Sequence, residues 1–173
     1  MLKIFPITFL FLTFFNTIAI SQEKIVFFDI DNILNNSIAG KKILLYLDEI
    51  NKENISNLKK NELEIKNSEK KLLSKKNLIN EEEFNNEIKL IETKIREFKL
   101  LKQNLTSEFI KKKENEILKF INLVNPIIEK YMKENNIGLV LDKKNVFIAK
   151  SNYDITSILL DIINKEIKDY SIK

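Results

Sequence analysis

The sequence contains no cysteine, no histidine and no tryptophan, and it has only two glycines and two prolines among 173 residues. The missing cysteine and histidine exclude a Cys/His zinc site, a Ser-His-Asp triad and a thiol nucleophile. Because Gly40 and Gly138 are the only glycines, a glycine-rich phosphate loop is excluded as well. We therefore predict a protein that is not an enzyme, with no catalytic residues, no metal site and no cofactor.

An N-terminal apolar segment predicts export. Lys3 is the only charge in residues 1–21, an apolar run of twelve residues extends from Ile4 to Phe15, and small residues follow in Ala19-Ile20-Ser21. This order is typical of a secretory signal peptide, whose cleavage would leave Gln22 as the first residue. The alternative, an uncleaved membrane anchor, would need about 20 apolar residues. A lipoprotein is excluded because no cysteine could carry the lipid.

Residues 41–120 contain no proline, glycine, cysteine or histidine, and isolated apolar residues stand in them between Lys, Glu and Asn. This composition is typical of long solvated helices. Asn80 can cap a new helix, with Glu83 at the capping-box position and further acids in the first turn, where the helix dipole favours them. We predict a hairpin of two antiparallel helices, a coiled coil over residues 41–120 with its turn near residues 78–80.

Heptad spacing supports the second arm of this hairpin more strongly than the first. In the second arm, steps of four and three give a mostly apolar row: Phe84, Ile88, Ile91, Ile95, Phe98, Lys102, Leu105 and Phe109. In the first arm, steps of seven give another: Leu44, Asn51, Leu58, Ile65, Leu72 and Ile79. The companion row of the first arm is polar after its first member: Leu47, Asn54, Asn61 and Ser68. One and a half apolar rows can hold two helices together without providing a thick core.

The formal net charge is +4, and the excess of positive charge is local. Residues 59–76 contain seven lysines against three acidic residues, so the outer part of the first arm is basic. A basic patch can meet nucleic acid, anionic lipid or an acidic polypeptide, whereas the simplest interpretation is a solvated helix face.

Residues 24–31 predict a buried strand because they are rich in β-branched and aromatic side chains. The start of the following helix is predicted at one of four residues: Asp31, Asn32, Asn35 or Ser37. The run Phe28-Asp29-Ile30-Asp31 also resembles the first motif of haloacid-dehalogenase phosphatases, with a nucleophilic Asp and an acid/base Asp around Mg²⁺. Ile33 stands where that motif usually has Thr, and the chain lacks the alternating strands and helices of that fold. A phosphatase using Asp29 and Asp31 is therefore a remote alternative.

The segment after the hairpin predicts a small β-rich body. Asn125-Pro126 can open a fresh helical turn, and Asn135-Asn136-Ile137-Gly138 can end it. Two apolar runs, residues 139–142 and 146–149, predict a short β-hairpin, and Asp154 is placed to cap a last amphipathic helix. Residues 22–40 and 121–173 together would form the body, whose exposed strand edges are a poor arrangement for a monomer.

Several segments, in this order, resemble the OmpH-like (Skp) family of periplasmic chaperones. They are the first strand, Ser37-Ile38-Ala39-Gly40-Lys41-Lys42, the charged hairpin, Asn125-Pro126-Ile127-Ile128-Glu129-Lys130-Tyr131, Ile137-Gly138-Leu139-Val140-Leu141-Asp142-Lys143 and Tyr153-Asp154-Ile155-Thr156. The resemblance implies an α+β, mostly α fold, a homotrimer with a shared β-barrel body from which three helical hairpins hang. It also implies an ATP-independent holdase in the periplasm of a Gram-negative bacterium, enclosing unfolded outer-membrane proteins.

Two groups of residues are the candidate sites. Client contacts are predicted on the outer hairpin at Lys59, Lys66, Lys70, Leu73, Lys75, Leu78, Ile79 and Phe84. The trimerisation body is predicted to be built by Val26, Phe28, Leu139, Val140, Leu141, Phe147 and Ile148. The expected partners are unfolded outer-membrane proteins and further copies of the chain, without nucleic acid; weak contact with an anionic membrane or lipopolysaccharide is left open. The alternative function is a coiled-coil adaptor or structural protein of the envelope that binds one folded partner.

Overall fold

The computed structural model describes residues 23–171, so the predicted signal peptide lies outside the described residues. The order of the elements is β1 (Lys24–Phe28), α1 (Ile30–Asn36), α2 (Ile38–Lys75), α3 (Glu81–Glu134), β2 (Ile137–Asp142) and α4 (Thr156–Glu166). Short 3-10 turns occupy Lys143–Asn145 and Ser151–Tyr153. The predicted α+β, mostly α fold class is confirmed.

Helices α2 and α3 form a long antiparallel hairpin. They contain 38 and 54 residues. At 1.5 Å per residue they extend roughly 57 Å and 80 Å. The Asn80 side chain accepts a hydrogen bond from the Glu83 amide at 2.8 Å, and three acidic residues occupy the first turn of α3. This cap satisfies one of the free amides at the helix start and places negative charge at the positive end of the helix dipole.

Helix α3 continues into the body, contrary to the prediction of a fresh turn at Asn125-Pro126. Pro126 lies inside the helix, which ends only at Glu134. A proline in a helix interior removes a hydrogen bond and usually breaks the helix. Here the adjoining side chains of Val124, Ile127 and Ile128 are buried in the body. Their burial favours a continuous helix strongly enough to outweigh the local cost of Pro126.

The body contains a two-stranded parallel sheet. Val26 pairs with Val140 and Phe27 with Leu141, so β1 and β2 run in the same direction. Parallel strands need a long crossover connection, and here the whole α2–α3 hairpin lies in that connection. Ile155 also donates its amide to the Phe27 carbonyl at 2.9 Å, on the chain segment that leads into α4.

The predicted β-hairpin of residues 139–142 and 146–149 is wrong in its second strand. Asp142 accepts a hydrogen bond from the Lys144 amide and starts a 3-10 turn, after which residues 146–149 are irregular. Phe147 and Ile148 lie exposed in this segment. A two-stranded hairpin is marginal when its apolar side chains have nothing to pack against, and residues 23–171 leave these two uncovered.

Strand β1 ends earlier than predicted because Asp29 caps α1. The Asp29 carboxylate accepts a hydrogen bond from the Asn32 amide at 2.9 Å, which stops the strand at Phe28. Ser37 then caps α2 through a 3.0 Å bond from the Gly40 amide. A Cβ atom on Gly40 would collide with the Leu34 carbonyl oxygen, so this close turn between α1 and α2 requires glycine.

The core of the body is formed by helices packed beside the sheet. Its most completely buried apolar side chains come from α1, α2, α3 and α4: Ile33, Ile43, Phe120, Val124, Leu159 and Ile163. Val26 of β1 belongs to the same cluster. The root of the hairpin is therefore part of the core, and both long helices leave the body from packed positions.

Thr156 links the start of α4 to the end of β1. Its hydroxyl oxygen accepts a hydrogen bond from the Asp29 amide at 2.9 Å, while its hydroxyl and amide both donate to the Asp154 carboxylate. Burial alone would raise the pKa of Asp154, but the hydrogen bonds from Thr156 and the nearby Lys143 ammonium hold that pKa below its ordinary value. The carboxylate therefore contributes stability above about pH 4, and this contribution is lost as the pH falls through the lowered pKa.

Thr156→Val is expected to lower the free energy of unfolding by about 1–2 kcal/mol, because it leaves the half-buried Asp29 amide without its acceptor and removes the hydroxyl that donates to the Asp154 carboxylate. Urea denaturation at pH 7 measures this loss, and at acidic pH the difference from the parent should shrink as Asp154 becomes protonated. Thr156→Ser, which keeps the hydroxyl, is the control and should retain most of the stability. Equal midpoints for parent and Thr156→Val would contradict the proposed role of the hydroxyl.

Candidate functional site

The seam between α2 and α3 is partly polar. Asn54, Asn61 and Ser68, members of the polar row of the first arm, are half-buried between the helices. Lys94 of α3 donates to the Ser68 hydroxyl at 3.2 Å across the seam. On α3 the predicted row is correct except at one position, because Leu101 is half-buried where Lys102 was expected and Lys102 is exposed. The polar row therefore occupies seam positions without supplying apolar contacts.

A cavity of about 330 Å³ opens between the two arms in this polar region. It is lined by Asn61, Glu64, Ile65, Lys94, Glu97, Phe98 and Leu101. Closer to the turn, Leu72 and Ile91 are buried on α2 and α3, respectively. The hairpin thus has fully buried apolar residues at its root and near its turn, and a partly polar middle with a cavity between the arms.

Large apolar side chains are exposed along both arms. They are Leu45, Ile55, Leu63, Leu73, Leu78, Leu90, Leu100, Ile110 and Leu118. Scattered exposed apolar residues are normal on proteins. Their spread along two helices of this length, among many lysines, nevertheless offers numerous small contacts to an extended apolar chain.

The eight predicted client-binding residues fall into two groups by exposure. Leu73 and Leu78 are 69% and 81% exposed, and the side chains of the four predicted lysines are exposed on α2. Ile79 and Phe84 are half-buried beside the turn. Leu73, Lys75 and Leu78 lie close to one another in the chain at the end of α2, whereas Lys59 lies about four helical turns away toward the body.

An open groove on α3 was missed by the sequence analysis. It measures about 780 Å³ and is lined by Lys99, Lys102, Gln103, Thr106, Ser107, Ile110, Lys111 and Glu114. Three of these residues are lysines, placed around the exposed Ile110. The three- and four-residue spacing of these side chains places them on one face of α3. In the sequence this spacing is hard to recognise, because the apolar seam row of the same segment is more conspicuous.

The seven predicted body residues differ in their availability to a partner. Val26 is buried in the core of the chain, and Phe28, Val140 and Leu141 are half-buried. Leu139, Phe147 and Ile148 are exposed, and Phe147 is fully exposed. A groove of about 620 Å³ runs beside β1 and is lined by apolar residues that include Ile25, Phe27, Leu141, Val146 and Ile148. This apolar surface lies at the sheet, away from the arms.

Asp29 and Asp31, the residues of the phosphatase alternative, have structural contacts. Asp29 caps α1, and its carboxylate lies 3.9 Å from the Lys143 ammonium. Asp31 pairs with Lys144 at 2.7 Å. Across residues 23–171 no group of three or more acidic side chains is arranged to hold a metal ion. The contacts of both carboxylates are with lysines and a helix amide.

Within the described part of the chain, no helix is long and apolar enough to cross a membrane. A comparison with curated proteins finds no match. Among solved structures, the fold is similar to that of a candidate outer membrane chaperone (OmpH-like) from Caulobacter crescentus, with a TM-score of 0.77 and 18% sequence identity. The alignment covers 88% of this chain and 90% of the other. The family model of outer membrane protein (OmpH-like) matches residues 24–163. The chain therefore belongs to the OmpH-like family.

Proposed function

We propose that this protein is an ATP-independent holdase that binds unfolded outer-membrane proteins in the periplasm. The observation that carries the proposal is the hairpin itself, whose exposed leucines and lysines lie along a partly polar seam with a cavity between the arms. Membership of the OmpH-like family and the likeness to an OmpH-like chaperone structure support it. Export would depend on residues 1–21, with cleavage before Gln22.

Weak contacts at many points explain how such a hairpin can hold a client without ATP. A single exposed leucine contributes little, but many contacts on one tethered chain act together through their effective concentration. Lysines next to the leucines favour clients that carry acidic residues among apolar ones. Because each contact is weak, the client can leave when the outer membrane offers a lower free energy.

The proposed assembly is a homotrimer built through the body. Exposed Phe147 and Ile148, together with the edges of a two-stranded sheet, leave apolar surface and backbone hydrogen-bonding groups for other copies. Closing strands from three chains into a barrel would remove those edges. Three hairpins extending from one body would then enclose the client.

Light scattering of a urea-unfolded β-barrel protein, diluted with and without this chain, tests the proposed function. A holdase should suppress the aggregation of several unrelated clients at a molar ratio of about one assembly per client. An adaptor for one folded partner would leave the aggregation unchanged. That outcome would reject the holdase and favour the adaptor.

The length of the arms provides a sharper test. Deleting residues 54–67 and 95–108 removes two heptads from each arm; these segments face each other, as the adjoining contact of Ser68 with Lys94 indicates. The cap at Asn80 and the buried Leu72 and Ile91 are retained. We expect unchanged protection of a small client, reduced protection of a large one and an intact assembly by sedimentation. Equal protection of both clients would show that the arms do not set the capacity.

A further inference from the structure

Glu116 is a charged residue in the interior of the protein. It is only 3% exposed, and Ser37 is the other buried polar residue within residues 23–171. It lies on α3 one helical turn before the fully buried Phe120, so both side chains are on the same face of the helix. An ionised carboxylate at such a position is costly unless other groups compensate for its lost hydration.

Two side chains compensate Glu116, and one of them comes from a distant part of the sequence. The Lys119 ammonium lies 2.8 Å from one carboxylate oxygen. The Tyr170 hydroxyl lies 3.5 Å from the other. Burial, reinforced by the Glu116 carboxylate, raises the pKa of the Tyr170 phenol, so the phenol stays a hydrogen-bond donor through the neutral range.

Tyr170 belongs to a segment, residues 167–171, that follows α4 and crosses the root of the hairpin. We define the root as residues 42–47 of α2 and 112–120 of α3. Ile167 is buried in the core, and the Tyr170 side chain packs against the same cluster. Lys42 of α2 donates to the Tyr170 carbonyl at 3.3 Å. The segment thus contacts α2 through its backbone and α3 through its aromatic side chain.

We propose that residues 167–171 form a C-terminal strap that holds α2 and α3 together at the root of the hairpin by covering Glu116. With the strap in place, Glu116 stays covered and the two helices leave the body at a defined separation. When the strap is released, water reaches Glu116 and the root loosens. The contact of the Lys112 ammonium with the Tyr46 ring, 5.2 Å from the ring centroid, lies in this root and would weaken with it.

Hydrogen–deuterium exchange of the full chain tests the strap without any client. Tyr170→Ala is expected to speed amide exchange in residues 42–47 and 112–120 by about tenfold, because the contact of a half-buried aromatic side chain with the core is lost. Exchange near Leu72 and Ile91 should not change. Asp169→Ala is the matched control, since Asp169 is exposed on the same segment, and it should leave the root as in the parent.

The outcomes separate a strap from a general loss of stability. Unchanged root exchange in Tyr170→Ala, or equal acceleration along the whole hairpin, would overturn the proposal. If Tyr170→Ala does not fold, Glu116→Gln decides instead. In that variant the Tyr170 phenol faces a neutral amide and the Lys119 ammonium, so its pKa should be lower than in the parent. An unchanged titration of the phenol would show that the two side chains are not coupled. These readouts do not depend on whether the protein binds clients.

Discussion

Phe147→Asp is expected to dissociate the proposed homotrimer. Phe147 is fully exposed in the single chain, so within one chain the substitution removes no contact. In a trimer that covers this residue, each copy would lose about 1.5–3 kcal/mol of apolar burial, and the desolvated carboxylate would add a further cost. Sedimentation velocity should show loss of the trimer, and circular dichroism should show that the dissociated chain is unfolded.

The coupling of folding to assembly gives this experiment a second readout. We predict that no stable folded monomer exists, because a small body without disulfides buries little surface alone. The thermal midpoint of the parent should therefore rise with protein concentration. Phe147→Leu, which keeps an apolar side chain, is the control and should stay trimeric. A folded monomer from Phe147→Asp would contradict the coupling, and an unchanged trimer would show that Phe147 is not at the interface.

Val140→Asp provides a useful contrast because Val140 is half-buried and packs against the core of its own chain. Its effect would combine loss of the assembly with loss of packing within the core of each chain. Phe147→Asp instead isolates the contribution of the surface between copies.

Phe120→Ala is expected to destabilise the body strongly through loss of packing within one chain. Phe120 is completely buried where α3 enters the body, among side chains of the main core. Replacing a buried phenylalanine with alanine removes its burial and leaves a cavity, at a cost of about 3–5 kcal/mol. A domain of ordinary stability has only about 5–15 kcal/mol in total. Urea denaturation followed by circular dichroism measures the change.

Leu118→Ala is the matched control for Phe120→Ala. Leu118 lies two residues earlier on the same helix and is 55% exposed. Its replacement should change the free energy of unfolding by no more than about 0.5 kcal/mol. If both variants lose the same stability, burial of the Phe120 side chain would not explain the loss, because alanine has a higher helix propensity than either residue it replaces.

The local features of the fold could be predicted from the sequence alone. The apolar spacing of α3, the cap at Asn80 and the absence of glycine and proline over residues 41–120 are all short-range signals. Such signals act within one or two helical turns, so a single sequence is enough to indicate a long helical hairpin. The order of flanking segments was enough to predict the family.

Contacts between residues far apart in the sequence could be seen only in the tertiary structure. The parallel register of β1 with β2 joins residues more than one hundred positions apart, and no local pattern specifies it. The same holds for residues 146–149, which are apolar enough for a strand but pair with no strand among residues 23–171. Pro126 stays inside α3 because its neighbours are buried, which a local pattern cannot anticipate.

The candidate sites also divide into features that the sequence predicts and features that only the tertiary structure shows. Lysines and leucines on the arms were predicted because exposure follows from helix periodicity, whereas the interior position of the polar row of α2 depends on how α3 packs against it. Glu116 resembles any other surface glutamate in the sequence, and its burial and its contact with Tyr170 are seen only in the folded chain. Local propensity therefore determined the long helical hairpin, and long-range burial determined the continuation of α3 through Pro126, the strand pairing and which polar groups are enclosed.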